Sequence, residues 1–360
     1  MLETPARSPQ EECLSTSGQA DLEALTQMIR GAQTAQLAYV MAKLELADLL
    51  RSGPQCSAVL AAATETHPEA LRRVLRGLAS VGLCVEVAED QFGLTALGAY
   101  LQTDRADSLH ARALFSGEVL FPLWGDLLQT VQSGEDAMTR VFGMPGYRYL
   151  AEHPAVGRLF NQAMADSARD RLWPIVHAYD FGRYATIVDV GGGSGALLAF
   201  ILEAYPQPLG VVYDFPGVVA QAAERIRRLG LAARCTAEGG DAREHVPAGG
   251  DLYVLSNVLC SLSDQDAGAV LRNCRLAMGM GGRLAIAEWI MPGCMGAAGD
   301  YDFWDAAAND LVMLAATGGT QGGRVRTERE LRELLTAAGL HLAEIIPTGS
   351  SVKIIEALPS

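Results

Sequence analysis

The residues best suited to chemistry lie in the run VDVGGGSG (188–195) and just beyond it. A short apolar strand, Thr186 to Val190, breaks into the glycine turn Gly191–Gly195, and a helical run from Ala196 to Tyr205 follows. Strand, glycine turn and helix in that order bring backbone N–H groups close to a nucleotide-like ligand. Asp214 stands 19 residues after Gly195, at the end of a second apolar strand, Leu209 to Tyr213. A carboxylate there can accept both hydroxyls of a ribose. A glycine turn alone also makes ordinary tight turns, but with strand, helix and acid in register it points to a nucleoside-type cofactor. The seven cysteines, at 13, 56, 84, 235, 260, 274 and 294, never fall at CxxC spacing. They read as free thiols of a reducing cytoplasm, not as a disulfide frame or a zinc site.

The elements that must position these residues follow from periodicity. From about Asp180 strands alternate with helices. Strands are expected near 186–190, 209–213, 251–256 and 283–288, with a final pair at 342–346 and 352–357. Helices are expected near 196–205, 217–229, 264–278 and 327–338. This alternation predicts an α/β fold, a Rossmann-like doubly wound parallel sheet with its ligand at the carboxyl ends of the strands. The link Pro347–Ser351 is too short to cross over, so the last strand should run antiparallel to its neighbour.

Upstream, apolar residues recur at helical spacing from Asp21 to Leu50: Leu22, Leu25, Met28 and Ile29, then Leu37, Val40, Met41, Leu44, Ala47 and Leu50. This segment fits either a subunit interface or a core helix. Residues 56–100 read as helix, helix, hairpin, with winged-helix geometry. DNA binding through Arg72, Arg73 and Arg76 is one reading and a dimerisation module the other. Three arginines on an acidic chain favour the second. Residues 107–178 are helical with scattered aromatic side chains, which suit a core or a cover over the cofactor.

The bulk composition sets limits. At 360 residues, 49% hydrophobic and 19% charged, the chain suits two domains with ample core. A net charge of −14 argues against nucleic acid and anionic membrane as partners. The first 20 residues form a polar stretch with no apolar h-region, expected to be a disordered tail. No uncharged apolar run is long enough to span a bilayer.

Taken together, residues 21–360 resemble the class I S-adenosylmethionine-dependent small-molecule O-methyltransferases that modify plant phenolics and bacterial polyketides and antibiotics. The resemblance rests on VFGMPGYRYLAEHP (141–154), the glycine loop 189–195, YDFPGV (213–218), GGDAREHVPAGGDLYVLSNVL (239–259), LRNCRLAM (271–278) and AEWIMP (287–292). It implies a mostly helical, winged-helix-like domain over 21–178 for dimerisation and substrate capping, and an S-adenosylmethionine-binding catalytic domain over 179–360. The working unit would be a cytoplasmic homodimer acting on a small molecule. Gly191, Gly193 and Gly195 would lie against the methionine part, Asp214 would hold the ribose, and Asp241 would reach the adenine amino group. The next residue, often aromatic in the family, is Ala242 here. Ser256 and Asn257 would stand beside the sulfonium. Trp124, Phe160, Met164, Asn309 and Met313 would line the substrate pocket.

The family's catalytic pattern is not kept. A Val-Leu-His-Asp-Trp run usually supplies the base, and here the run is Val258-Leu259-Cys260-Ser261-Leu262. One carboxylate that usually orients the His matches Glu288. The second should fall in Gly-Gly-Arg-Glu-Arg-Thr, but position 325 is Val325 and the preceding loop, Thr317–Gly323, is longer than usual. A histidine accepts a proton near neutral pH, whereas a cysteine does so only beside a cationic neighbour.

Three enzymatic readings stand. The protein methylates an acidic phenol, enol or carbon acceptor that needs no strong base. Alternatively it binds S-adenosylmethionine as a cation for cyclisation, pericyclic, decarboxylation or hydroxylation chemistry. Or Cys260 is itself a nucleophile or metal ligand. A ligand-sensing regulator or inactive partner subunit is the reading outside enzymology.

Overall fold

A computed structural model of the chain describes residues 9–166, 168–279, 281–293, 300–319 and 322–360. Within these, the chain divides into two units, 1–117 and 118–360. The helices after Glu118 therefore group with the sheet, well before the expected boundary at 178.

In the first unit, α1 runs Pro9–Lys43. Residues 9–20, expected as a disordered tail, are its opening turns. The segment expected as one helix to Leu50 breaks at Glu45, whose φ is +49°, and resumes as the short α2, Leu46–Leu49. Met41 and Ala42 are buried at the far end of α1, while Leu22, Leu25, Met28 and Ile29 are exposed. The winged-helix pattern forms as expected. Strand β1 (Gln55–Cys56), α3 (Ser57–Ala63), α4 (Pro68–Ser80), β2 (Cys84–Ala88) and β3 (Gln91–Leu94) follow in order, with α5 at His110–Phe115. The sheet order is β1-β3-β2. Pro68 opens α4 at a position where its missing N–H costs nothing, and His67 accepts the Ala70 N–H as its cap. Leu46, Leu50, Leu60, Leu75, Leu78 and Phe92 fill the core. Arg72 and Arg76 pair with Asp90 and Glu86 of the hairpin, at 3.4 and 3.5 Å.

The second unit opens with short helices: α6 (Phe121–Gly125), α7 (Leu127–Ser133), α8 (Ala137–Phe142), α9 (Gly146–Glu152), α10 (Pro154–Asp166) and α11 (Ala168–Ala178). The sheet elements follow: β4 (Thr186–Val190), α12 (Ala196–Ala204), β5 (Leu209–Asp214), α13 (Pro216–Arg228), β6 (Cys235–Gly239), β7 (Leu252–Ser256), α14 (Asp264–Ala277) and β8 (Arg283–Trp289). The chain closes with α15 (Tyr301–Thr317), α16 (Glu328–Ala337), β9 (Leu340–Pro347) and β10 (Val352–Pro359). The order β6-β5-β4-β7-β8-β10-β9 makes a seven-stranded sheet. Strand β10 is antiparallel to both neighbours, as the short link predicted.

Strand β6 has no counterpart in the periodicity. It is an edge strand reading CTAEG, largely exposed after Cys235, so no apolar alternation marks it. The central strands alternate between two cores, as a sheet covered on both faces requires. Ile187, Val212 and Val254 face Leu198 and Ile226, while Val188, Tyr213 and Leu255 face Leu271, Leu331 and Leu335.

At the sheet's other end, opposite the glycine turn, Glu356 on β10 is buried and gathers distant segments. It accepts from Tyr179 at 2.6 Å, Arg183 at 2.7 Å and Arg283 at 2.7 Å. Glu356→Ala should lower unfolding free energy by about 2 kcal/mol, less than a fully buried pair because both arginines are partly exposed. Urea denaturation would show this, and an unchanged midpoint would refute the load assigned to the cluster.

Candidate functional site

The site is built where β4 and β7 part, the point at which strand order reverses. Gly191, Gly193 and Gly195 have φ of +71°, +57° and +72°, conformations that a side chain resists. A Cβ on Gly191 would also stand 2.7 Å from Val258 Cγ2, so the turn lies directly against the segment leaving β7. The turn is fixed by bonds from the Gly191 N–H to Tyr213 O (2.8 Å) and from the Gly193 N–H to Asp214 Oδ2 (2.8 Å). The Phe215 N–H donates to the other Asp214 oxygen at 2.6 Å. Burial raises the Asp214 pKa while these two N–H groups lower it. Each oxygen keeps a lone pair for a ribose hydroxyl.

Beneath the turn lies an acid that the motif reading passed over. Asp189 is buried, and among the described residues neither of its oxygens has a hydrogen-bond partner. A Cβ on Gly192 would come within 2.7 Å of Asp189 Oδ2, so only a glycine lets the turn lie this close over the carboxylate. Burial, and secondarily the nearby Asp214, push Asp189 up to about 7. An unpaired buried carboxylate is costly unless a cation joins it. S-adenosylmethionine carries an ammonium and a sulfonium beside its ribose, so the residues present fit that group.

The other positions expected to hold the cofactor follow β6 and β7. Asp241 follows β6 and accepts from the Arg243 side chain at 2.6 Å, which lowers its pKa. Ala242 is half-buried and accepts from Asn273 at 2.9 Å through its carbonyl. Ser256 ends β7. Asn257 takes φ +55°, donates its N–H to Ala287 O at 3.0 Å, and has a buried Oδ1 with no partner among the described residues.

Cys260 sits in the turn after β7, buried. Glu288 Oε1 accepts the backbone N–H groups of Leu259 and Cys260, at 2.8 and 3.3 Å. Burial pushes Glu288 up to about 7. Burial first, then the Glu288 charge, raises Cys260 well above the usual thiol value, so it stays protonated at neutral pH. Among the described residues no cluster of three or more His, Cys, Asp or Glu could hold a metal. Arg326, also buried, donates to the Leu259 and Leu262 carbonyls and to Asp264. Val325 is buried where the family has its second carboxylate, and its N–H donates to Asp310 Oδ1 at 2.9 Å.

Helix α15 carries Asn309 and Met313 and packs against α6, which carries Trp124, and against the 259–261 turn. Asn309 donates to Asp305 O at 2.8 Å. Phe160 and Met164 lie on α10, which is tied to α13 through Asn161 and Gln221 at 2.9 Å. Sequence reasoning missed Tyr147. Its hydroxyl faces the Ser261 side chain, and burial together with nearby acidic groups raises its pKa. Its side chain is 58% exposed. The Thr317–Gly323 loop is pinned where it is described, the Gly323 N–H donating to Thr317 Oγ1 at 2.8 Å; residues 320–321 lie outside the described residues.

Fold and site define an S-adenosylmethionine-dependent methyltransferase. The O-methyltransferase domain family matches residues 124–341. The chain is 39% identical to the phenazine O-methyltransferase PhzM of Lysobacter antibioticus, over 93% of this chain and 95% of that protein. The crystal structure of LaPhzM superposes with a TM-score of 0.88 at 38% identity, covering 94% of this chain and 99% of that one. The O-methyltransferase NcsB1 from neocarzinostatin biosynthesis, in complex with S-adenosylmethionine and 2-hydroxy-5-methyl naphthoic acid, gives 0.78 at 30% identity, covering 91% and 96%. The chain therefore belongs to the S-adenosylmethionine-dependent O-methyltransferase family, and S-adenosylmethionine is its cofactor.

If the cation of the cofactor joins the buried Asp189 carboxylate, cofactor binding is expected to depend on pH. A cation would bind the charged carboxylate, whose pKa burial pushes up to about 7. Affinity for S-adenosylmethionine should rise with pH up to about 7 and then level off, with proton release below that point. In the ligand-free chain the raised pKa acts oppositely. Its contribution to stability is present below the unfolded value of 3.8 and is lost as pH rises through about 7. Calorimetry in buffers of differing ionisation enthalpy measures the release. Asp189→Asn should flatten the profile, and a flat wild-type profile would exclude Asp189 from the cation site.

Proposed function

We propose that this chain methylates an acidic hydroxyl on a small aromatic natural product and does so without a histidine base. The observation that carries this reading is Cys260, protonated and buried in the base position beside an otherwise complete cofactor cradle. Bound S-adenosylmethionine supplies an electrophilic methyl group. The chain's own residues contribute placement. The glycine turn and Asp214 fix the cofactor, and Trp124, Phe160, Met164, Asn309 and Met313 form the acceptor pocket with Tyr147. An acceptor already ionised at working pH needs only alignment, which supplies a large part of such a barrier. Glu288 serves as a positioning residue, holding the turn that carries Cys260. The aromatic acceptor class draws support from the phenazine and naphthoate ligands named for relatives.

The reading extends to assembly. The exposed Leu22, Leu25, Met28 and Ile29 along α1 suit a homodimer interface, and light scattering at the monomer mass would refute it. The free thiols Cys56, Cys84, Cys235, Cys260 and Cys274 suit the cytoplasm. Among the described residues no helix is long and apolar enough to cross a membrane.

Incubation with S-adenosylmethionine and a series of aromatic hydroxy acids tests the activity. The expected result is S-adenosylhomocysteine released in step with a product one CH₂ heavier. The rate should track the ionised fraction of the acceptor, and Cys260→Ala should keep it within about fivefold, far less than loss of a general base. Turnover with no S-adenosylhomocysteine would sink methyl transfer and favour the non-methylating chemistry.

A further inference from the structure

The methionine end of the cofactor belongs at the β4 turn and its ribose at the end of β5. Continuing outward along the sheet, the base must come to the end of β6, the edge strand. There two segments are joined. The Gly240 N–H donates to Asp214 O at 2.9 Å, and a Cβ on Gly239 would meet Pro216 Cα at 3.1 Å. This brings Phe215 opposite Arg243. Phe215 is 46% exposed, although it is a large apolar side chain. The Arg243 guanidinium lies over its ring with Cζ 5.9 Å from the centroid.

That separation is informative. Surfaces in direct contact approach to about 3.5–4 Å. A flat base between two planes needs roughly twice that contact distance. The pair is thus a cation–π contact at the outer end of its range, which a base has to open in order to enter. Arg243 is held in this pose by Asp241, which accepts from Nε at 3.0 Å and from the terminal nitrogen at 2.6 Å. Asp241 Oδ1 also accepts the Arg243 N–H at 2.9 Å. Neighbouring Ala242 offers a methyl group and no ring.

We infer that Phe215 and Arg243 form a clamp in which the adenine of the cofactor stacks between the ring and the guanidinium plane, so that Arg243 determines affinity for the base. A guanidinium is planar and weakly hydrated and stacks on aromatic faces; an ammonium does not. The clamp rests on the cofactor assignment above.

The test is calorimetric binding of S-adenosylhomocysteine and of S-ribosylhomocysteine, which lacks the base, to the full chain. Arg243→Ala should weaken S-adenosylhomocysteine by about tenfold, the lower part of what base stacking supplies, and leave S-ribosylhomocysteine unchanged. Arg243→Trp should restore the lost affinity, and Arg243→Lys should not. Unchanged or tighter S-adenosylhomocysteine binding by Arg243→Ala would overturn the clamp. So would equal weakening of both ligands, or rescue by Lys, which would reduce Arg243 to an ion-pair partner of Asp241. A wild-type chain that binds neither ligand would overturn the cofactor assignment itself.

Discussion

The cleft depends on a steric constraint at Gly191. Because that residue has no Cβ, the turn after β4 can lie against Val258 at a distance no side chain would allow. The approach sets where β7 hands over to the Cys260 turn, and so where an acceptor meets the cofactor. The same turn leaves Asp189 unpaired beneath the glycines. A loop that closes tightly over a strand thus also buries an acid at its foot. Shape and charge in this site have one origin.

The Cys260 turn shows why a family feature can outlast its partner. Glu288 matches the carboxylate expected to orient a histidine, yet here it accepts two backbone N–H groups. Arg326 takes the opposing carbonyls. Together they satisfy a buried, irregular segment whose backbone groups would otherwise be orphaned. Glu288 thus has backbone work to do here, and it faces the Cys260 thiol as well. Val325 contributes only an N–H to Asp310, and no carboxylate is needed behind it.

Much of the fold was legible in the sequence because the central strands bury both faces and so read as apolar runs. The short link before β10 fixed its direction. Strand β6 was not legible, since an edge strand of CTAEG has little to bury. The start of α1 was missed because a polar helix looks like a tail when only apolar spacing is counted. The glycine turn and Asp214 stand out by spacing, and Asp241 by the family resemblance. Asp189 escaped because an acid inside an apolar strand carries no motif of its own. Tyr147 and Arg243 escaped because their meaning lies in what faces them, Ser261 and Phe215, across long stretches of chain.

Strand β10 is last in chain order but not last in the sheet. It sits between β8 and β9, and its Glu356 accepts from Arg183 and Arg283. During synthesis, therefore, β9 has no neighbour to pair with until Val352–Pro359 has left the ribosome. Until then β8 also presents an open edge of unpaired backbone groups. Strands β4 and β5, which carry the glycine turn and Asp214, pair with one another well upstream of this. The glycine turn and Asp214 therefore take no pairing from β9 or β10, whereas the far edge of the sheet is closed only by the last strand in the chain.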